Sequence, residues 1–131
     1  MAEGSLSEKI KSEMVVDYAN ALEKSYELAK QFIKITSTGT IDLIGKDDFK
    51  GVEKIQLYFI GKWYAKEAGL ADSEYVPNAE LCTELGLKEG TVKPAVKSLR
   101  DLGVVETKGG KSAIKSNYIE IILKKLLKKN G

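Results

Sequence analysis

The stretch Ala79–Glu106, AELCTELGLKEGTVKPAVKSLRDLGVVE, decides the fold. Its first seven residues place Leu81, Cys82 and Leu85 on one side of a short amphipathic helix that stops at Gly86, and Asn78 is a good N-cap for it. Leu87 points back toward the core across a tight turn. A second helix begins near Thr91 and carries Val92, Ala95, Val96, Leu99 and Leu102 on one face, at steps of three and four. It stops at Gly103, and the apolar Val104–Val105 reads as the start of a strand. The order is helix, glycine turn, helix, strand.

Pro94 tests this reading, because proline inside a helix removes a hydrogen bond and clashes with the preceding turn. With Thr91 as N-cap, Pro94 is the third helical residue, where a missing N–H costs no ladder bond. Alternatively the helix starts at Pro94 itself. In the first case the strain falls on Lys93, the residue before proline. With Val92, Val96 and Leu99 facing inward, Lys93, Lys97 and Arg100 turn outward on one face. The following VVETKGGKSAIKS (104–116) predicts strands at Val104–Thr107 and Ser112–Lys115. Gly109 and Gly110 supply the positive φ angles of a two-residue hairpin, and Lys108 and Lys111 flank its tip.

These residues resemble the winged helix-turn-helix family. The matching features are the Glu-Leu-x-x-x-Leu-Gly-Leu turn, the Thr-Val helix start, the Leu-x-x-Leu-Gly-Val-Val end and the glycine hairpin. The resemblance covers residues 49–116. It implies a mainly α fold with a small β-hairpin wing, to which the apolar spacing of the flanking residues adds N- and C-terminal helices. It also implies that the second helix enters the major groove of double-stranded DNA, with Thr91, Lys93, Lys97 and Arg100 at phosphates or base edges. Lys108, Gly109, Gly110 and Lys111 would then lie along the phosphate backbone. The plainer alternatives are an ordinary solvated face on the helix and tip lysines that only guard against edge pairing. The lysine-rich style is in keeping with an archaeal protein.

Residues 49–68 read as a nearly all-apolar helix central to the core. Gly61 within it, which costs about 1 kcal/mol against alanine, marks the close approach of another backbone. Gly69 suits its C-terminal cap. Upstream, residues 5–35 read as one long helix with Ser5 or Ser7 as cap. Its stripe of Met14, Tyr18, Ala21, Ser25, Leu28, Phe32 and Ile35 is widened by Val15, Leu22 and Ala29. Thr36–Gly39 ends it, Thr40–Ile44 predicts a short strand, and GKDDFKG (45–51) a turn in which Asp47 or Asp48 caps the next helix. Glu74–Val76 is a short extended segment closed by Pro77. The last helix starts at Ser116 or Asn117 and carries Tyr118, Ile119, Ile122, Leu123, Leu126 and Leu127, with Ile121 outside that arc. Lys124, Lys125, Lys128 and Lys129 suit the C-terminal end of its dipole. Three stretches follow: 1–48, 49–116 and 117–131. The apolar faces of the terminal helices need cover, from their own domain or from a second subunit. Met14, Tyr18, Leu22, Leu28, Phe32, Ile122 and Leu126 are the expected contacts of a homodimer.

The chain has 131 residues and a net charge of +2. Residues 1–53 hold seven lysines against ten acids, net −3; residues 54–87 hold three against five, net −2; residues 88–131 hold eleven Lys and Arg against four acids, net +7. A localised basic third predicts a site for a polyanion. There is no histidine and one cysteine, so the commonest catalytic and metal-binding sets are missing, and no enzyme, cofactor or metal is expected. Neither a membrane span nor a secretory signal is expected, and the lone cysteine fits a reducing cytosol. The expected function is DNA binding as a cytoplasmic transcription regulator; the alternative is a protein-interaction module of a larger complex. No effector ligand is legible.

Overall fold

The computed structural model describes residues 2–14 and 20–130. The chain is mainly helical with two small antiparallel sheets. Helix α1 (Ala2–Glu13) precedes α2 (Ala21–Ala29), the hairpin β1 (Ile33–Ile35) and β2 (Ile41–Leu43), and the central helix α3 (Gly51–Glu67). Then come β3 (Val76–Pro77), α4 (Asn78–Leu85), α5 (Glu89–Asp101), the hairpin β4 (Val105–Lys108) and β5 (Lys111–Ile114), and α6 (Ile119–Asn130). No helix among the described residues is long and apolar enough to cross a membrane.

Helix α3 is enclosed on nearly every side. Ile55, Leu57, Phe59, Ile60 and Ala65 have no exposed surface, and the helix touches α2, α4, α5, α6, the first hairpin and β5. A helix apolar all round is stable only when covered all round. Its polar aromatic groups are satisfied: the Trp63 indole N–H donates to the Ile114 carbonyl at 2.7 Å, and the Tyr64 hydroxyl to the Leu22 carbonyl at 2.6 Å. Glu53 in its first turn accepts the Lys50 N–H at 2.7 Å, an N-terminal cap made at N3. Asp47 and Asp48, the expected caps, sit instead in a 3-10 turn, Lys46–Asp48.

The long N-terminal helix is corrected. Helix α2 ends at Ala29, and the Phe32 N–H closes back on the Ala29 carbonyl at 3.0 Å. Ile33 and Ile35 then alternate with exposed Lys34 in a strand paired with β2, Ile33 opposite Leu43 and Ile35 opposite Ile41. β-Branched residues fit a pleated surface better than a helix. Tyr18 and Val15 lie outside the described residues. Gly61 does mark a close approach, but by side chains rather than backbone: a Cβ there would meet Ile41 Cγ2 at 2.6 Å and Ile33 Cγ2 at 3.3 Å. The first hairpin packs into that notch.

Helix α2 lies along α6 within the same chain. Leu22, Phe32, Ile122 and Leu126 are buried in the chain's own core, and Leu28 packs half-buried against it. Phe32 meets Phe49 edge-on with ring centroids 5.9 Å apart. Of the residues expected to dimerise, Met14 alone among those described stays open, at 75 % exposure. The other described side chains of that set are occupied inside the chain. The core runs from Leu22 to Leu126 as one cluster, so the three stretches of the sequence share it.

Candidate nucleic-acid interface

Helices α4 and α5 are joined by Gly86 in the left-handed region at φ 65°, and the Leu87 N–H returns to the Cys82 carbonyl at 3.1 Å. Leu87 packs on the core. Pro77, not Asn78, occupies the N-cap position of α4. Buried Tyr58 of α3 donates its hydroxyl to Glu80 of α4, which also pairs with Lys62 at 3.0 Å. Burial first, and then the bond to Glu80, push the Tyr58 pKa far above the usual phenol range. These groups fasten α4 to the centre of the molecule, and α5 leans on α4 and α3.

The second helix starts earlier than Thr91. Lys88 is its N-cap and Glu89 its first residue, with the Thr91 and Val92 N–H groups both closing on the Lys88 carbonyl at 2.9 and 3.0 Å. Thr91 is therefore the third residue and Pro94 the sixth. The proline lies past the four N–H groups that lack partners, so it removes the ladder bond that the Gly90 carbonyl would accept. Gly90 itself is exposed. The early start has a tertiary cause: Thr91 Cγ2 lies 3.4 Å from where a Cβ on Gly51 would sit, so the first turn of α5 is seated on the first turn of α3.

Val92, Val96 and Leu99 face the core as expected, but Leu102 does not: it is 72 % exposed. Lys93, Lys97 and Arg100 are exposed on the outer face. Two of the three are not free cations. Lys93 pairs with Glu89 at 2.7 Å and Lys97 with Asp101 at 3.0 Å, both four residues apart on α5 itself. The bond to Glu89 raises the Lys93 pKa, and Lys93 in turn lowers that of Glu89. Such solvent-screened pairs add little to stability, and a phosphate can displace them. Arg100 has no partner among the described residues. Lys88, exposed at the N-cap, is a further cation that the later helix start had concealed.

The second hairpin forms around Gly109 (φ 56°) and Gly110 (φ 78°), with Lys108 directly opposite Lys111. Thr107 and Ser112 hydroxyls bond at 3.0 Å one pair below. β5 also pairs with β3, Val76 opposite Ser112. Two like charges in direct register repel. Lys108 is partly relieved: its ammonium lies 5.4 Å from the centre of the Tyr75 ring, whose hydroxyl donates to Glu106 at 2.6 Å. Lys111 has no such support among the described residues. The Trp63 bond to Ile114 ties this hairpin to α3, so both cation-bearing elements rest on one buried helix.

Cys82 is half-buried beside a shallow groove between α4 and the start of α5. Among the described residues no three of Cys, Asp and Glu gather into a metal site. Comparison with protein-family models, curated proteins and solved structures returned no match.

Proposed function

We propose that this chain binds double-stranded DNA as a winged helix-turn-helix transcription regulator, with α5 in the major groove and the β4–β5 hairpin as a wing on the phosphate backbone. The observation that carries this reading is the set of exposed cations on two rigidly mounted elements: Lys93, Lys97 and Arg100 on α5, and Lys108 and Lys111 in register at the hairpin tip. The tip repulsion is a cost to the free protein that a bound phosphate would relieve. Gly109 and Gly110 leave open space around the tip and let a phosphate approach the backbone.

Anisotropy of a labelled random-sequence duplex, titrated at several salt concentrations, tests the reading. Binding should weaken steeply with salt. Arg100→Glu should lower duplex affinity about tenfold or more with thermal stability unchanged. Undiminished affinity in that variant would remove the assignment.

A second reading has one specific observation in its favour. Glu89 and Asp101 pair with two of the three cations on the α5 face, which suits a protein-interaction module docking a mixed-charge partner. Elution from heparin and from immobilised duplex at low salt alike would favour that module.

A further inference from the structure

Away from the basic face, a groove runs between α2 and β1. The two elements follow each other in the chain, joined by residues 30–32, yet a cavity of about 540 Å³ opens between them, lined by Tyr26, Ala29, Ile33, Lys34, Ile35 and Tyr64. A second hollow of about 490 Å³ continues it past Tyr26, Ile35 and Tyr64 to Glu23 and Glu67. The Tyr64 ring is fixed there, because its hydroxyl donates to the Leu22 carbonyl at 2.6 Å. The wall on the β1 side is backbone. The Thr36 N–H meets the Thr40 carbonyl at 2.9 Å and the Ile44 N–H the Phe32 carbonyl at 2.8 Å, while Lys34 stands opposite Asp42. Bonded pairs recur at every second residue of an antiparallel ladder, so Phe32, Lys34 and Thr36 face β2, and Ile33 and Ile35 turn their N–H and C=O groups the other way. Those four groups have no backbone partner among the described residues. Successive side chains of a strand alternate between its faces, so a cavity lined by Ile33, Lys34 and Ile35 together meets the strand along this unpaired edge.

We propose that this groove takes an extended peptide segment of a partner protein, which adds to β1 as a third strand of the first sheet and sets a basic residue beside Glu23 and Glu67. Regularly spaced backbone donors and acceptors along a groove suit a strand rather than a helix or a small molecule. The charges give the chemistry of that strand. Glu23 and Glu67, both exposed, have no ion-pair partner among the described residues and lie at one end of the groove. Lys30 at the other end is committed to Glu27 at 3.0 Å and lies over the Tyr26 ring. Tyr26 and Tyr64 offer apolar contact to the side chain that follows the basic residue, and aromatic rings beside carboxylates also favour the cation itself. A short strand carrying a lysine is a known guard against edge pairing, but a guarded edge needs no aromatic groove beside it.

Nuclear magnetic resonance of the isotope-labelled full chain tests this. In the free protein the Ile35 amide should exchange with solvent about tenfold faster than the Lys34 amide, which is bonded to β2. Titration with the peptide acetyl-KVTVTVT-amide should shift the Ile33 and Ile35 amides and slow exchange at Ile35 about tenfold, with a Kd below about 1 mM. N-methylation of one alternate set of peptide amides should abolish binding, and of the other set should not. Ile35→Pro removes one edge donor and no ladder bond, and should weaken binding about tenfold, whereas Ile35→Val should keep it. Glu23→Lys and Glu67→Lys should each weaken it severalfold, as should glutamate in place of the peptide's lysine. Circular dichroism confirms that the variants keep the fold. Absence of any shift up to about 5 mM peptide overturns the proposal. So does binding that neither N-methylated peptide loses, which would mark a site for apolar side chains alone. Protection of the Ile35 amide in the free protein also overturns it, since the edge would then be covered by this chain or by a second copy. No nucleic acid is present, so the outcome is independent of the DNA-binding reading.

Discussion

The β1–β2 hairpin and the β4–β5 hairpin share a topology and differ in what surrounds them. The first is closed by Thr36–Thr40, and its Gly39 (φ 89°) is pressed against the end of α3: a Cβ there would lie 2.2 Å from the Leu70 carbonyl oxygen. Ile33 and Ile41 enter the notch left by Gly61. The second hairpin has glycines with equally positive φ, but nothing lies within 4 Å of a Cβ built on either. Glycine in the first hairpin answers to conformation and to space; in the second, to conformation alone. A hairpin crowded at its turn is part of the core, and one that is open at its turn is free to meet something else.

Four substitutions break or sharpen that contrast. Gly39→Ala should be the most damaging, by about 3 kcal/mol or more, because it adds a left-handed β-carbon and a collision with backbone. Chemical denaturation measures it, and a loss no larger than that of Gly109→Ala would erase the distinction. Gly61→Ala should come next, at about 1–2 kcal/mol, the overpacking against Ile41 outweighing the helix propensity gained. A more stable variant would mean that the first hairpin yields. Gly109→Ala should cost about 1 kcal/mol, from φ alone. Lys111→Glu should have the smallest effect on stability, and of opposite sign: a gain of a few tenths of a kcal/mol as the opposed lysines become an ion pair. The same variant should reduce the salt slope of duplex binding by about one unit. Gain of stability with loss of binding is the signature of a residue retained for a ligand.

Alkali tests the anchoring of α2 on α3. Burial pushes the Tyr64 phenol up to about 12 from its usual 10.0. Its neutral form is favoured in the folded chain, so its contribution is complete below pH 10 and is lost as pH rises toward 12. Tyr64→Phe should flatten that part of the stability profile as followed by circular dichroism.

Local chemistry made the helix–turn–helix and the second hairpin legible. Gly86 and the Gly109–Gly110 pair each answer to the backbone of their own turn. The strand at Ile33–Ile35 was hidden because Phe32 and Ile35 also continue a helical spacing, and only pairing with Ile41–Leu43 decides between the two. The start of α5 was misplaced because the proline rule is local, whereas the contact of Thr91 with Gly51 is not. The pairing of Lys93 and Lys97 was within reach: Glu89 and Asp101 stand four residues away, and only the former precedes its lysine, the more favourable order. The groove beside β1 was out of reach, since α2, β1 and the end of α3 build it together.

The anchoring of Trp63 to Ile114 has a practical consequence. It is the only tryptophan of the chain, and its indole nitrogen is bound to the strand that carries the lysine tip. Its intrinsic emission therefore works as an unlabelled optical gauge of how firmly that strand is held, and a shift in emission wavelength on mixing with a polyanion would report the movement directly.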